Sequence, residues 1–352
     1  MENKLGAITY KEIYEQGKAF QGINNTMGEI FATFDRVFEE NPDFDQVIFT
    51  GCGTSLYLAQ TSAFAFSKYN KISVQAVPCS ELYFYPDAYL QDKKTLVIPI
   101  TRRSDTSEVR MAIHKVREYP NVKTLSVTCD ENSKTYNDYY VLSPDAKEKS
   151  VVMTKSFTSM VYMNMLLALY IGKQQEEIEK IKKLPQISEE FLPLFDQVTK
   201  QIVEENKDLN LFITLGQGAF YGIANECMNK IKEMAIANSE AYQSLEYRHG
   251  PMALVDSNTL IVFLMSSETD TYEEKLMKQM KGMGAKVVCI GDILSEEVKQ
   301  ESNYVLELKK GLTDIGYAPL VGLVGQFLGY HLAVKKGLDL DAPRNLSQAI
   351  IL

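Results

Sequence analysis

A short segment, Thr101–Thr106 with the sequence TRRSDT, carries groups that suit a phosphate monoester. The guanidiniums of Arg102 and Arg103 can form paired hydrogen bonds with phosphate oxygens, and hydroxyls and backbone amides can satisfy the remaining ones. The segment also precedes the helical pattern TSEVRMAIHKVRE. Ser104 or Asp105 could therefore cap that helix and leave the arginines in solvent. The segment alone does not separate a phosphate site from a capped helix.

A second segment, GCGTS at Gly51–Ser55, follows the apolar run VIFT. Its glycines allow a ligand close to the backbone, and Thr54 and Ser55 offer hydroxyls at the predicted start of a helix. The pattern lacks the full GxGxxG spacing and the chain lacks a Walker lysine, so a nucleotide-binding protein is disfavoured.

Another set of residues suits proton transfer. Lys230 and Glu233 are three positions apart in a predicted helix and share one face, as either an acid–base site or a surface ion pair. His249 lies in the polar turn SLEYRHGP, where an imidazole can move protons near neutral pH. Of the other histidines, His114 is expected in solvent and His331, in an apolar helix, is expected to be a satisfied core group.

The elements that must position these residues alternate between strand and helix. The apolar runs begin at Val47, Leu96, Thr124, Leu211, Leu260 and Val287. Strand, helix and strand in this repeated order predict an α/β fold with parallel sheets flanked by helices on both faces. In such doubly wound, flavodoxin-like sheets, ligands bind beyond the carboxyl ends of the strands, which is where both hydroxyl-rich segments fall.

The chain also repeats itself at a constant interval of 165 residues. The matched pairs are Gly51 with Gly216, Gly53 with Gly218, Asp105 with Asp270 and Thr106 with Thr271. Four matched pairs with the same 165-residue spacing predict a duplicated domain. The predicted divisions are a helical N-terminal extension at 1–40 packed against the first copy, a first domain at 41–173, a helical connection at 174–206, and a second domain at 207–352 whose tail completes the site.

Composition limits the partners and the compartment. A net charge of −9 disfavours nucleic acid, because phosphate-backbone binding needs a basic face. The absence of a secretory pattern or a long apolar run predicts a cytoplasmic protein without a membrane partner. Cysteines occur at scattered positions without CxxC spacing, and they are expected to be small buried hydrophobes rather than disulfides or zinc ligands: Cys52, Cys79, Cys129, Cys227 and Cys289.

Five motifs in order give the chain a family resemblance. They are GCGTS at 51–55, TRRSDT at 101–106, KIKE at 230–233, EYRHGPMALVD at 246–256 and DAPRNLSQAI at 341–350. Together they resemble the tandem sugar isomerase (SIS) domains of phosphosugar isomerases, in particular the isomerase half of glucosamine-6-phosphate synthases and related deaminases and fructosamine-6-phosphate deglycases. The likeness extends over nearly the whole chain. No glutaminase domain is expected, because 352 residues are too few to hold one.

The resemblance implies a role for each motif. A phosphorylated sugar would be bound by Ser55, Thr54, Thr101, Arg102, Arg103, Ser104, Thr106 and the tail residue Gln348. Glu233 would be the base that moves a proton between C1 and C2, and Lys230 would assist it. His249 would open the sugar ring in the neighbouring subunit's site, which implies a homodimer. No metal or organic cofactor is implied.

Two positions depart from the family pattern. The family's phosphate segment reads Ser-x-Ser-Gly-Glu/Asn-Thr, whereas Arg103 and Ser104 stand here at the second Ser and the Gly. The synthases also use a lysine in Asn-Leu-Ala-Lys near the C-terminus for a Schiff base, and Gln348 stands here in its place. Synthase activity is therefore not expected.

The predicted activity is isomerisation with deamination or deglycation of an aminated hexose 6-phosphate through an enolamine. Such a substrate already carries nitrogen, so an active-site lysine would not be needed. Two alternatives stay open, a plain phosphosugar aldose–ketose isomerase and a sugar-phosphate sensor without catalysis.

Overall fold

A computed structural model describes residues 5–352, and these residues form two compact units. The first unit contains residues 15–149, 153–185 and 347–352. The second unit contains residues 5–14, 150–152 and 186–346. Each unit has a five-stranded sheet of its own.

All strands in both sheets run parallel, as the alternation of strand and helix predicts. The strands are β1 (Gln46–Gly51), β2 (Ser73–Pro78), β3 (Thr95–Thr101), β4 (Val122–Thr128), β5 (Tyr139–Leu142), β6 (Leu211–Gly216), β7 (Asn238–Tyr242), β8 (Thr259–Leu264), β9 (Lys286–Gly291) and β10 (Tyr304–Glu307). Their order is β2-β1-β3-β4-β5 in the first sheet and β10-β9-β8-β6-β7 in the second. The two orders are the same doubly wound topology, which confirms the predicted fold class.

Helices connect the strands and cover the sheets. They are α1 (Ala7–Tyr14), α2 (Gln16–Glu40), α3 (Thr54–Tyr69), α4 (Cys79–Phe84), α5 (Pro86–Tyr89), α6 (Ser107–Val116), α7 (Lys155–Ile171), α8 (Gln175–Ile181), α9 (Leu184–Glu205), α10 (Ala219–Ala235), α11 (Asp270–Gly282), α12 (Glu296–Glu301), α13 (Asp314–Val321) and α14 (Leu323–Lys335). In the predicted N-terminal extension, α2 packs against α7 of the first unit. By contrast, α1 belongs to the second unit, where the hydroxyls of Tyr10 and Tyr14 donate to Asp196 at 2.5 and 2.6 Å.

The duplication is visible in the backbone as well as in the sequence. Gly53 precedes α3 with φ 55° and ψ −124°, and Gly218 precedes α10 with φ 57° and ψ −122°. Glycine adopts this left-handed conformation without the steric cost that a Cβ would add. The 165-residue repeat therefore marks two turns of the same geometry, each between a central strand and its following helix.

Apolar side chains of the central strands form a core in each unit. Ile48 and Val97 pack in the first unit, and Ile213 and Phe263 in the second. Of the described residues, one stretch, Asp314–Lys335, is long and apolar enough to cross a membrane, but 89% of its apolar window is buried inside the protein. Such burial is typical of apolar helices in the core of a protein, here α13 and α14.

Candidate functional site

The turn between β1 and α3 places two hydroxyls at the carboxyl edge of the first sheet. β1 ends at Gly51, and the amide of Ser55 donates to the carbonyl of Cys52 at 3.1 Å. Thr54 and Ser55 are only 7% and 6% exposed. The topology changes direction between β1 and β3, which is where open α/β sheets bind ligands.

The second predicted segment, Thr101–Thr106, will be called the first-unit turn. It connects β3 to α6, whose N-cap is Thr106 without a side-chain cap bond. Ser104 is buried; its amide donates to Asp130 at 2.9 Å and its hydroxyl lies 2.8 Å from that of Ser133. Ser104 and Asp105 therefore do not cap α6, and the alternative of a simply capped helix is not what the structure contains.

Arg102 is held by a buried carboxylate. Its Nη1 lies 3.2 Å from Oε2 of Glu148, and the two side chains are 9% and 0% exposed. Glu148 also accepts from the amides of Thr154 and Ser156 at 2.7 and 3.0 Å, at the start of α7. A buried carboxylate with this many donors fixes the guanidinium in place and balances its charge.

Arg103 connects the first-unit turn to the C-terminal tail. Its guanidinium pairs with Asp105 at 2.7 Å, and its Nη1 donates to the Gln348 side-chain oxygen at 2.8 Å. The Gln348 amide nitrogen in turn donates to the carbonyl of Lys149 at 2.7 Å. Arg103 and Gln348, which both depart from the family pattern, thus contact each other. A lysine at 348 would instead place a second cation beside Arg103.

A cavity of about 390 Å³ opens beside this turn. The charged residues among those that line it are four cations, Arg102, Arg103, Arg110 and Lys147, and three carboxylates, Asp105, Asp130 and Glu148. Burial raises the pKa of Asp130, but donors on Ser104 and Asn132 outweigh it and hold that pKa below its usual value. The four cations give the cavity donors that suit an anion.

The predicted acid–base pair lies on α10 of the second unit. Lys230 is fully buried, with Nζ at 2.8 Å from Glu226 and in a short contact with Glu233. Burial lowers the pKa of Lys230, but the two carboxylates outweigh it and raise that pKa above its usual value. The pair is therefore not a surface ion pair, because the lysine has no exposure to solvent. The lysine stays protonated and can stabilise negative charge near Glu233.

Glu233 is 17% exposed and borders a cavity of about 310 Å³. Its second oxygen accepts from the Asn229 amide at 3.3 Å. Arg344 and Leu346 of the DAPRNLSQAI motif line the same cavity. A carboxylate that is oriented from behind and open in front has the placement of a general base.

The histidines occupy three different environments. His249 is exposed on the turn after a short 3₁₀ helix, Glu246–Arg248, and does not line the Glu233 cavity. His114 is 86% exposed and His331 lies 2.6 Å from Asp196, which confirms both expectations for them. The structure therefore brings Lys230 and Glu233 together, and His249 is not among the residues that line the Glu233 cavity.

Some residues of these sites were missed by reading the sequence. Glu226 lies four positions before Lys230, so helical spacing could have identified it. Glu148 and Asp130 follow other strands and turns, and no local pattern connects Glu148 with Arg102 or Asp130 with Ser104. Among residues 5–352, no group of three or more His, Cys, Asp or Glu is placed to hold a metal ion.

Comparison with known proteins agrees with this architecture. The model of a family described as SIS domain matches residues 43–170 and 210–336. Glutamine–fructose-6-phosphate aminotransferase (isomerizing) of Pyrococcus horikoshii is 30% identical over 97% of this chain and 57% of its own length. The homologous enzyme of Tropheryma whipplei is 27% identical over 97% of this chain and 58% of its own. The chain thus spans a little over half the length of these relatives.

Solved structures with the same architecture cover both units. Glucosamine-6-phosphate deaminase of Thermotoga maritima has a TM-score of 0.81 and 29% identity, covering 98% of this chain and 100% of the other. The C-terminal domain of glucosamine-fructose-6-phosphate aminotransferase of Francisella tularensis has a TM-score of 0.80 and 25% identity, covering 95% and 97%.

Proposed function

The chain belongs to the SIS domain family, and from that premise we propose that it is an enzyme acting on an aminated hexose 6-phosphate. The proposed reaction isomerises the substrate and releases ammonia or an amino acid. The observation that carries the proposal is the oriented Glu233 carboxylate, held by Lys230 and Asn229 and open to a cavity. A sensor without catalysis would have no need of a base beside a buried cation.

The proposed phosphate site consists of the hydroxyls of the Gly51–Ser55 turn and the first-unit turn. Arg102 is fixed by Glu148, and Arg103 by Asp105 and Gln348. A phosphate would leave the buried pair of Arg102 and Glu148 in place, and it would add charge-assisted bonds to the exposed side of Arg103. In this respect a guanidinium takes over the role that a serine has in the family pattern.

In the proposed mechanism Glu233 removes a proton from the carbon next to the imine or aldehyde and returns it to the neighbouring carbon. The protonated Lys230 stabilises the negative charge that develops in the enolamine or enediol intermediate. Water then adds to the imine carbon, its oxygen becomes the new carbonyl oxygen as the C–N bond breaks, and both of its hydrogens leave on the amine. Gln348 contacts Arg103 and provides no amine, so no covalent enzyme–sugar intermediate forms at that position.

The Thermotoga maritima structure supports the direction of the reaction, since it is described as a glucosamine-6-phosphate deaminase and has the highest identity of the solved structures considered above. The names of the aminotransferase relatives also include an isomerisation. A plain aldose–ketose isomerase would use the same Glu233 and differ only in whether its substrate carries nitrogen. Phosphorylated sugars do not cross membranes, so the proposal includes a cytoplasmic location.

The test is one-dimensional NMR of the protein with glucosamine 6-phosphate, fructoselysine 6-phosphate, glucoselysine 6-phosphate and fructose 6-phosphate in separate samples. Glu233→Gln should lose about 10²–10⁴-fold in turnover and keep ligand binding, since the amide cannot accept a proton. Glu204→Gln, an exposed glutamate on α9, is the matched control and should retain full activity.

Release of hexose 6-phosphate with ammonia or lysine establishes the proposed reaction and names the leaving group. Interconversion of fructose and glucose 6-phosphates alone would replace it with the plain isomerase. Saturable binding without any conversion would replace it with the sensor. Unchanged turnover in Glu233→Gln would remove Glu233 as the base.

We also propose a homodimer in which His249 serves the partner's site. Mixing the inactive variants His249→Ala and Glu233→Gln under exchange conditions tests this directly. If His249 acts across the interface, each mixed dimer contains one intact site and activity returns. If His249 acts within its own subunit, both sites of a mixed dimer are defective and no activity returns.

A further inference from the structure

Two cysteines that lie 27 residues apart in the sequence meet at the edge of the first sheet. Cys52 follows β1 and Cys79 follows β2, and these strands are parallel neighbours with Gly51 opposite Pro78. Neighbouring parallel strands are about 4.8 Å apart, and a disulfide requires Cα atoms roughly 4.4–6.8 Å apart. The register therefore brings the two cysteines to a separation that a disulfide can span.

The side chains of Cys52 and Cys79 interact with each other. The two thiols form a hydrogen bond with each other, and the Thr50 hydroxyl donates to Cys79 Sγ at 3.4 Å. Cys79 is 1% exposed, whereas Cys52 is partly exposed. Donation by Cys52 lowers the pKa of Cys79 against the effect of burial. The same hydrogen bond, burial and the nearby Glu108 carboxylate raise the pKa of Cys52, and Glu108 also acts against the lowering at Cys79.

The remaining cysteines have ordinary core environments. Cys227 lies 3.9 Å from the carbonyl of Gly322, and Cys289 contacts the Ser302 hydroxyl. Burial raises the pKa of each of these thiols, and it does the same for Cys129. These residues are inert, as buried cysteines usually are.

We propose that Cys52 and Cys79 form a reversible disulfide in the presence of peroxide, and that this bond fixes the Gly51–Ser55 turn. Solvent reaches Cys52, so peroxide meets this thiol first: its sulfur attacks one peroxide oxygen, the S–O bond forms, the O–O bond breaks, and the thiol proton joins the departing oxygen as water. The Cys79 sulfur then attacks the resulting sulfenic acid, the S–S bond forms, and a second water leaves. Two thiols are oxidised and one peroxide is reduced to two waters.

The disulfide would act on the residues that follow Cys52. The Cys52 carbonyl accepts the Ser55 amide at 3.1 Å, and Gly53 has the left-handed φ that this tight turn needs. Linking Cys52 to the adjacent chain removes freedom from a turn whose hydroxyls belong to the proposed phosphate site. On that proposed function, the oxidised protein binds sugar phosphate more weakly, and reduction restores the affinity.

The experiment treats the purified full chain with hydrogen peroxide and then blocks free thiols with iodoacetamide. Non-reducing proteolysis and mass spectrometry should find a peptide containing Cys52 joined to one containing Cys79, with the loss of two hydrogen atoms. Hydrogen exchange in the peptide spanning the turn should slow about tenfold and return to its first rate with dithiothreitol. In Cys79→Ser, Cys52 should stop at the sulfenic acid, which dimedone traps. Cys289→Ser is the matched control and should still form the link.

Alkylation of both thiols after peroxide, or their oxidation to sulfinic acids without a link, overturns the proposal. A variant that misfolds is recognised by its circular dichroism spectrum, and Cys52→Ser then gives an independent test of the same link. Calorimetry with fructose 6-phosphate examines the regulatory consequence, with about tenfold weaker binding expected in the linked protein. Equal binding by linked and reduced protein refutes the regulation. Because the link is detected without a sugar, its failure and the failure of the proposed function are separate results.

Discussion

The turns that follow β3 and β8 occupy equivalent places in the two sheets but contain opposite charges. The first-unit turn has Arg102 and Arg103, and the second-unit turn, residues 266–271, has Ser267 and Glu268 at the positions 165 residues later. In the second-unit turn, Asp314 accepts from the Ser266 hydroxyl at 2.5 Å and from the Ser267 amide at 3.1 Å. The donors that could bind an anion are therefore already used by a carboxylate of the protein.

A second carboxylate, that of Glu273, also accepts a hydrogen bond from the second-unit turn. Glu273 is fully buried, and it accepts from the Ser266 amide at 2.8 Å and the Ser244 hydroxyl at 2.5 Å. Its counterpart in the first unit is Glu108, which lies near the Cys52 and Cys79 thiols instead of the turn. The duplicated topology was kept while the charges diverged. The first-unit turn has cations beside a cavity, whereas the donors of the second-unit turn are bound by carboxylates of the protein itself.

The largest expected difference between the turns is in stability. Arg102→Ala leaves the buried Glu148 without its cation, and should lower the free energy of unfolding by about 3 kcal/mol. Ser267→Ala at the equivalent position removes only the hydroxyl's hydrogen bond to Asp314, because the amide keeps its own, and should cost only about 1 kcal/mol. Urea unfolding followed by circular dichroism measures both.

The double variant Arg102→Ala with Glu148→Gln is the control for the buried charge. It should regain about 1–2 kcal/mol relative to Arg102→Ala, because the uncompensated carboxylate is gone. Equal losses in Arg102→Ala and Ser267→Ala would mean that the two turns do not differ in the way described.

The second prediction concerns Glu273 and pH. Burial raises the pKa of Glu273 to about 7 from an ordinary value of 4.5, with Asp314 adding to the effect. Below about pH 4.5 the Glu273 carboxyl is neutral in both the folded and the unfolded chain, so it does not lower the free energy of unfolding. As the pH rises towards 7, only the unfolded chain ionises this group, so the free energy of unfolding falls, and it levels off above that.

Glu273→Gln should remove this loss, because the amide does not ionise. Relative to the unmodified chain, the variant should gain about 2–3 kcal/mol of unfolding free energy between about pH 5 and pH 8. Thermal unfolding across that range measures the difference. A constant offset at every pH would contradict the raised pKa and show that the second-unit turn tolerates a charged carboxylate.

Much of this architecture could be predicted from the sequence, and the errors have a clear physical pattern. The apolar runs beginning at Val47, Leu96, Thr124, Leu211, Leu260 and Val287 are the three central strands of each sheet, and all six predictions are confirmed. The strands that were not predicted are β2, β5, β7 and β10, which lie at the sheet edges. Edge strands are covered less completely, so they are shorter or more polar, as SVQAVP and NSEAY show.

The sites were predictable to the extent that their residues are close in the sequence. Lys230 and Glu233 were identified from helical spacing, but the burial of Lys230 was not, because it depends on how α14 packs on α10. The contact between Arg103 and Gln348 joins residues 245 positions apart. Each of the two was recognised as a departure from a family pattern. Their contact with each other could be seen only in the folded structure.

The third prediction concerns the anion that only one turn should bind. Arg103→Ala should weaken binding of fructose 6-phosphate about tenfold, the loss expected for one charge-assisted bond at an exposed guanidinium. Glu268→Ala at the equivalent position should leave the affinity unchanged, because Asp314 still occupies the second-unit turn. Calorimetric titration of both variants provides the comparison. A larger loss of affinity in Glu268→Ala than in Arg103→Ala would mean that the anion binds the second-unit turn, which contradicts the proposed function.

The smallest expected effect concerns what covers each turn. The second-unit turn is closed by Asp314, a residue of α13, whereas the first-unit turn is covered by the chain end. The Leu352 amide donates to the Ser107 hydroxyl at 2.9 Å, and the Ser107 amide donates to the Ile350 carbonyl at 3.1 Å. These exposed bonds hold a short segment with little apolar burial, so it should open more easily than a helix residue does.

Gln348→Ala should therefore accelerate hydrogen exchange in the peptide containing residues 347–352 by about fivefold, since it removes the contacts with Arg103 and Lys149. Ser347→Ala is the matched control, because the Ser347 hydroxyl bonds only within the tail, to the Ala349 carbonyl, and its loss should change exchange little. Exchange around Asp314 should be the same in both variants. If Gln348→Ala leaves the tail protected, the bonds of Ile350 and Leu352, together with the Arg102 bond to the backbone carbonyl of residue 348, are enough to hold it.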